Sequence, residues 1–179
     1  HAGKDGGTHP QNPRGEIMLE RTAAILLKIL NISLASAVAL LTLDVLLGVG
    51  SRYLWGAQIK WTEELATVLL IWVSFLGTAA AFEAKAHLGI DLLVEKFDPG
   101  IRRESALGVH VLTLIFVILV FEIGGIGLVL QAVRHWNVLP ALQVSDVIEF
   151  LPLPVSGVFI LVFELRALGR EVRRKEERE

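Results

Sequence analysis

The residues of this chain that could do chemistry are few, and they are histidines and carboxylates. His87 and His110 fall near the ends of two successive apolar runs, at similar depth. Axial histidines on facing helices are what a haem-binding four-helix cytochrome needs. His87 and Asp91 are four apart, which equally makes an ordinary hydrogen bond along one helix face. Asp44 and Glu122 sit inside apolar runs. A charge at mid-bilayer costs about 2.5–3.5 kcal/mol on insertion scales, so each needs a partner, water or a proton. An internal tether between Asp44 and Arg52, two turns on, is one outcome, and a proton or ion pathway is another. Thr62-Glu63-Glu64 opens a helix. Thr62 can cap it, and the two acids face the positive end of its dipole. There is no His-Glu-x-x-His, no nucleophile elbow and no phosphate loop. No cysteine is present, which removes disulfides, thiolate metal sites and thiol chemistry. An enzyme, a metal site, a bound cofactor and a nucleic-acid partner are therefore not expected.

What must position these groups is a membrane bundle. Hydrophobic residues make up 53% of the 179 residues, and mean hydropathy is +0.58. The apolar residues gather into four runs, at about residues 22–49, 62–84, 101–133 and 147–168. About 20 apolar residues span a bilayer core, and lipid offers backbone groups no partner, so each run must be a helix. The fold class is an all-α integral membrane protein of four transmembrane helices, in contact with membrane lipid. Residues 1–17 are polar and rich in Gly and Pro, and Met18 is the only methionine. Met18 reads as the natural start, with the stretch before it an expression remnant or a disordered tail. The membrane domain then covers residues 18–170, and residues 171–179 form a charged tail. The first run carries Lys28, Asn31 and Asp44 and does not fit a removed signal peptide.

Charge sets orientation. The N-terminal stretch, the loop between the second and third runs, and the tail hold thirteen Lys and Arg, against Arg52, Lys60 and Arg134 on the other side. The positive-inside rule makes the chain N-in and C-in. The outer face is then two short loops, 51–61 and 131–145, which hold Tyr53, Trp55, Trp61 and Trp136 at headgroup level. Lys60, Arg134 and Asn137 are the candidates there for docking something soluble.

Within the inner loop, Ile90, Leu93, Val94 and Phe97 follow helical spacing and predict a short amphipathic segment on the inner face. Asp98-Pro99 reads as a cap and first residue of the third helix. Pro152 and Pro154 predict a kinked or broken fourth helix, with a short outer helix near 146–150. Small residues Ser74, Gly77, Thr78 and Ala81, and Gly124, Gly125 and Gly127, suit close helix approach, inside the unit or against another membrane protein.

Several of these residues together resemble a known family. Arg52-Tyr53, Trp61-Thr62-Glu63-Glu64-Leu65, Ile71-Trp72, Phe75-Leu76-Gly77, Ala79-Ala80-Ala81, His87 and Asp91 are similar to the small membrane subunit of tripartite ATP-independent periplasmic (TRAP) transporters. Leu139-Pro140-Ala141-Leu142 and Leu153-Pro154-Val155-Ser156-Gly157 extend the resemblance, which covers about residues 21–168. Glu83-Ala84-Lys85 departs from it, where a more basic stretch is expected. The resemblance implies a multi-pass protein of the bacterial inner membrane. It implies a scaffold partner for a large transmembrane subunit that moves organic anions by a sodium-driven elevator motion. A periplasmic substrate-binding protein delivers the substrate, and the small subunit holds neither substrate nor sodium. It also implies that Arg52, Trp61, Glu63 and Glu64 cluster at the outer boundary, with Arg52 paired to one of the acids. Trp72, Gly77, His87 and Asp91 join them as structural or interface candidates. The competing class is a haem-binding or anchoring subunit of a membrane redox complex.

Overall fold

A computed structural model describes the backbone over residues 13–57, 59–94 and 99–176, and side chains over 21–54, 56–57, 59–84 and 108–169. The elements in order are α1 (Pro13–Trp55), α2 (Lys60–Val94), α3 (Pro99–Phe116), a π-helical segment (Val117–Gly124), α4 (Gly125–His135), α5 (Val147–Phe150) and α6 (Pro152–Glu176). Four stretches are long and apolar enough to cross a membrane: Arg21–Leu54, Lys60–Ala84, Gly108–His135 and Val147–Gly169. No strand occurs among the described residues; Val138 and Ser145 form an isolated bridge.

The helices are longer than the apolar runs that signal them. At 1.5 Å per residue, the 43 residues of α1 extend well past a bilayer core of about 30 Å. The separate amphipathic segment expected after the second span is, in its backbone, the continuation of α2 to Val94. Its side chains, with those of His87 and Asp91, lie outside the described residues, as do Asp98 and the charged tail. Between α1 and α2 the chain reverses through Gly56, whose φ of +70° is the left-handed conformation that ends a helix without a Cβ penalty.

α1 packs along α2, α2 on α6, and α6 on α3 and the π segment. The core joins all four spans through Leu30, Leu76, Ala79, Val117, Phe121, Ile160 and Phe163. α6 packs against each of the other three spans, so it is the central post. The outward faces are apolar, including Ile25, Leu46, Leu112 and Ile123. Facing water, such surface would drive aggregation; in a bilayer it meets lipid or another membrane protein.

The π segment is where the third span departs from a simple helix. It lets Phe121 turn its ring edge to Phe75 and Phe116, both at 6.1 Å between centroids. Phe121 and Glu122 then lie directly on Gly157 of α6. One turn further, Gly125 takes Pro154 and Leu153 against its bare Cα. Of the small residues expected to pack closely, Gly125 does so inside the unit. Ser74 and Ala81 are exposed, and Gly77 has open space at its Cα. Leu151 separates α5 from α6 but keeps right-handed helical angles, and its N–H still bonds Val147 O at 3.0 Å.

Candidate functional site: the outer loops and the polar ties beneath them

The segment between α4 and α5, the second of the two loops expected on the outer face, is an ordered turn. Leu139 N–H bonds Val144 O at 2.8 Å, Gln143 N–H bonds Leu139 O at 2.9 Å, and Asp146 N–H bonds Asn137 O at 3.2 Å. The Gln143 side-chain amide donates to Pro140 O at 2.7 Å. Trp136 and Gln143 adopt positive φ, 49° and 57°, at the two bends. Pro140 has no N–H, so the tip keeps two unused donors, Ala141 and Leu142.

Both donors go to Glu64. Its Oε1 accepts from Ala141 at 3.0 Å, and its Oε2 accepts from Ala141 and Leu142, each at 2.9 Å. This corrects the expected ion pair. Arg52 is exposed and makes no ion pair among the described residues, whereas Glu64 is half-buried and already satisfied by backbone donors. A carboxylate taking oriented N–H groups is a charge-assisted arrangement and gains little from a solvated guanidinium. Glu63 is exposed in the first turn of α2, and Trp61 is partly exposed at its start. Thr62 does not cap α2. The helix starts two residues earlier, and the Thr62 hydroxyl donates to Ile59 O at 2.7 Å. Two turns along α2 from Glu64, Trp72 Nε1–H donates to Ile148 O at 3.1 Å, a second tie from α2 to the same region.

The docking candidates Lys60, Arg134 and Asn137 are all exposed. Arg134 and His135 fall in the last turn of α4, where positive charge complements the helix dipole. Tyr53 and Trp136 are also strongly exposed at span ends, as an aromatic belt requires.

Buried polar groups divide into tied and untied. At the other end of the bundle His110 Nδ1 and Glu164 Oε1 lie 2.6 Å apart, with both residues buried, and join α3 to α6. Arg166 and Glu83 approach to 3.9 Å nearby, joining α6 to α2. Asp44 is buried, and neither of its oxygens has a hydrogen-bond partner among the described residues, so it is not tethered to Arg52. Glu122 Oε1 likewise has none. No group of three or more metal-ligating side chains occurs among the described residues. Sequence reasoning passed over Glu164, the partner of His110, because a lone acid near the end of an apolar run reads as surface.

Four helices long and apolar enough to cross a bilayer define a multi-pass membrane protein. The chain belongs to the family of tripartite ATP-independent periplasmic transporters, DctQ component, which residues 22–174 match across all four spans. It is thus a transport component of the inner membrane, and the haem-anchor alternative gives way. It is 37% identical over 82 residues to a putative TRAP transporter small permease protein of Haemophilus influenzae, covering 46% of this chain and 51% of that one. It is 26% identical over 136 residues to the sialic acid TRAP transporter small permease protein SiaQ of Vibrio cholerae, covering 75% and 74%. It is 28% identical over 117 residues to the isethionate TRAP transporter permease protein DctMQ of Oleidesulfovibrio alaskensis, covering 65% of this chain but 18% of that much longer protein. The matches thus span about half the Haemophilus relative and less than a fifth of DctMQ.

Proposed function

We propose that this chain is the small scaffold subunit of a sodium-driven, binding-protein-dependent secondary transporter for organic anions. It supports a large elevator subunit and contributes to the periplasmic docking surface. The observation that carries this reading is the family match across all four spans. The DctMQ relative, in which the matching part is a small fraction of one long permease polypeptide, supports a large membrane partner. Sialic acid and isethionate, named for two relatives, are both organic acids and support the substrate class. Produced together with its large subunit, the chain should co-purify with it in detergent. Uptake by cells should be lost when this chain alone is omitted. Full uptake without it would overturn the scaffold role.

The orientation is N-in and C-in, on the asymmetry of Lys and Arg. Cysteines placed at Gln58 and Asn137 should react with an impermeant thiol reagent applied to the periplasm, and one at Glu176 should not. The opposite pattern would invert the topology and remove both loops from the docking face.

A further inference from the structure

The contact between Glu64 and the second outer segment is more specific than packing requires. In that turn the N–H groups of Leu139 and Gln143 are used internally, and Pro140 has none. Between Leu139 and Gln143 that leaves the N–H groups of Ala141 and Leu142, and the Glu64 carboxylate takes both. A buried or half-buried N–H without a partner is costly, so the turn has one favourable seat on α2 and that seat is Glu64. Glu64, Val68 and Trp72 lie on one face of α2, at spacings of four. Val68 is buried there, and Trp72 makes the second tie, to Ile148. The loop tip is thus fastened to this helix face at Glu64, and α5, which follows the loop, is fastened to the same face at Trp72. Arg134 and Asn137 stand at the base of this segment, exposed, and Trp136 stands between them.

We infer that Glu64 is the positioning residue of the periplasmic docking surface: by seating the Ala141 and Leu142 amides it fixes the height and angle at which the 134–146 segment meets the soluble binding protein. This rests on the docking reading above. A group that only positions a recognition surface alters how much partner is needed and leaves transport by the docked complex unchanged. Glu64→Ala removes the acceptors. Glu64→Asp keeps the charge but withdraws it by one methylene, and Glu64→Gln keeps the reach with a single acceptor oxygen.

The test uses the complex of this chain with its large subunit, reconstituted and supplied with binding protein. In the unaltered complex the amides of Ala141 and Leu142, both half-buried in a loop, should be protected from hydrogen exchange. Exchange at the rate of an open loop would overturn the inference without any variant. In Glu64→Ala and Glu64→Asp both amides should exchange on the order of tenfold faster or more. The binding-protein concentration for half-maximal uptake should rise several-fold to about tenfold, with maximal uptake and co-purification retained, and Glu64→Gln should fall between. Should Glu64→Ala fail to assemble, Glu64→Gln gives the same reading. Arg134→Glu and Lys60→Glu test the docking surface independently. Released amides with an unchanged concentration dependence, while Arg134→Glu shifts it, would overturn the role of Glu64 alone. If neither the Glu64 variants nor the charge reversals shift it, the docking reading fails and the positioning role fails with it.

Discussion

Glu164→Leu alone should destabilise the chain by roughly 3 kcal/mol, where the ranges for an unsatisfied buried polar group and for a broken buried ion pair meet. His110 and Glu164 are both buried, and their polar atoms lie 2.6 Å apart. Removing the carboxylate leaves the imidazole with neither ring nitrogen satisfied, because Nε2 already lacks a partner among the described residues. His110→Leu alone should cost a similar amount, since Glu164 is then the stranded group. The double variant should fall within about 1 kcal/mol of the original protein, because replacing both members by apolar groups of similar size removes the desolvation penalty together with the bond. Denaturant titration in mixed micelles, followed by tryptophan fluorescence, would measure the cycle. Additive single-variant losses would show that the two side chains do not act as a pair.

Gly157→Ala should cost about 1–3 kcal/mol, as overpacking a filled interface does. A Cβ there would lie 2.7 Å from Glu122 Oε1 and 2.8 Å from Phe121 Cβ. The glutamate tip can swing away. The Phe121 Cβ cannot, since it moves only with the π segment or with α6. Gly127→Ala, five residues beyond Glu122 on the third span, meets nothing within 4 Å. It should be neutral or stabilising by up to about 1 kcal/mol through helix propensity. The same titration should therefore separate two chemically identical substitutions. Equal effects at the two sites would mean that α6 does not cross the π segment at Gly157.

How much of this was legible in the sequence depends on the kind of information each feature carries. Four helices could be read because lipid forces any apolar run of sufficient length into one conformation. The π segment could not, because the stretch Val117–Gly124, apolar but for Glu122, shows no hydrophobic period whose shift would betray an extra residue per turn. Glu63 and Glu64 were visible as acids at a helix start, and the family resemblance offered Arg52 as the partner of one of them. The acceptor role of Glu64 toward Ala141 and Leu142 was not visible, since backbone donors 77 and 78 residues away leave no trace in residue type. His110 was noticed for what it could ligate, whereas its contact is with Glu164, 54 residues on. The family resemblance placed Leu139–Leu142 beside the Trp-x-Glu-Glu stretch as shared features, and the structure supplies a physical reason for their company.

The most direct test of a scaffold that assembles but does not itself transport is sodium-driven uptake in proteoliposomes, measured with this chain alone, with the large subunit alone, and with both, each with the binding protein supplied. Uptake only when both membrane subunits are present is the result expected. Sodium-dependent uptake by vesicles holding this chain without its large partner would contradict it.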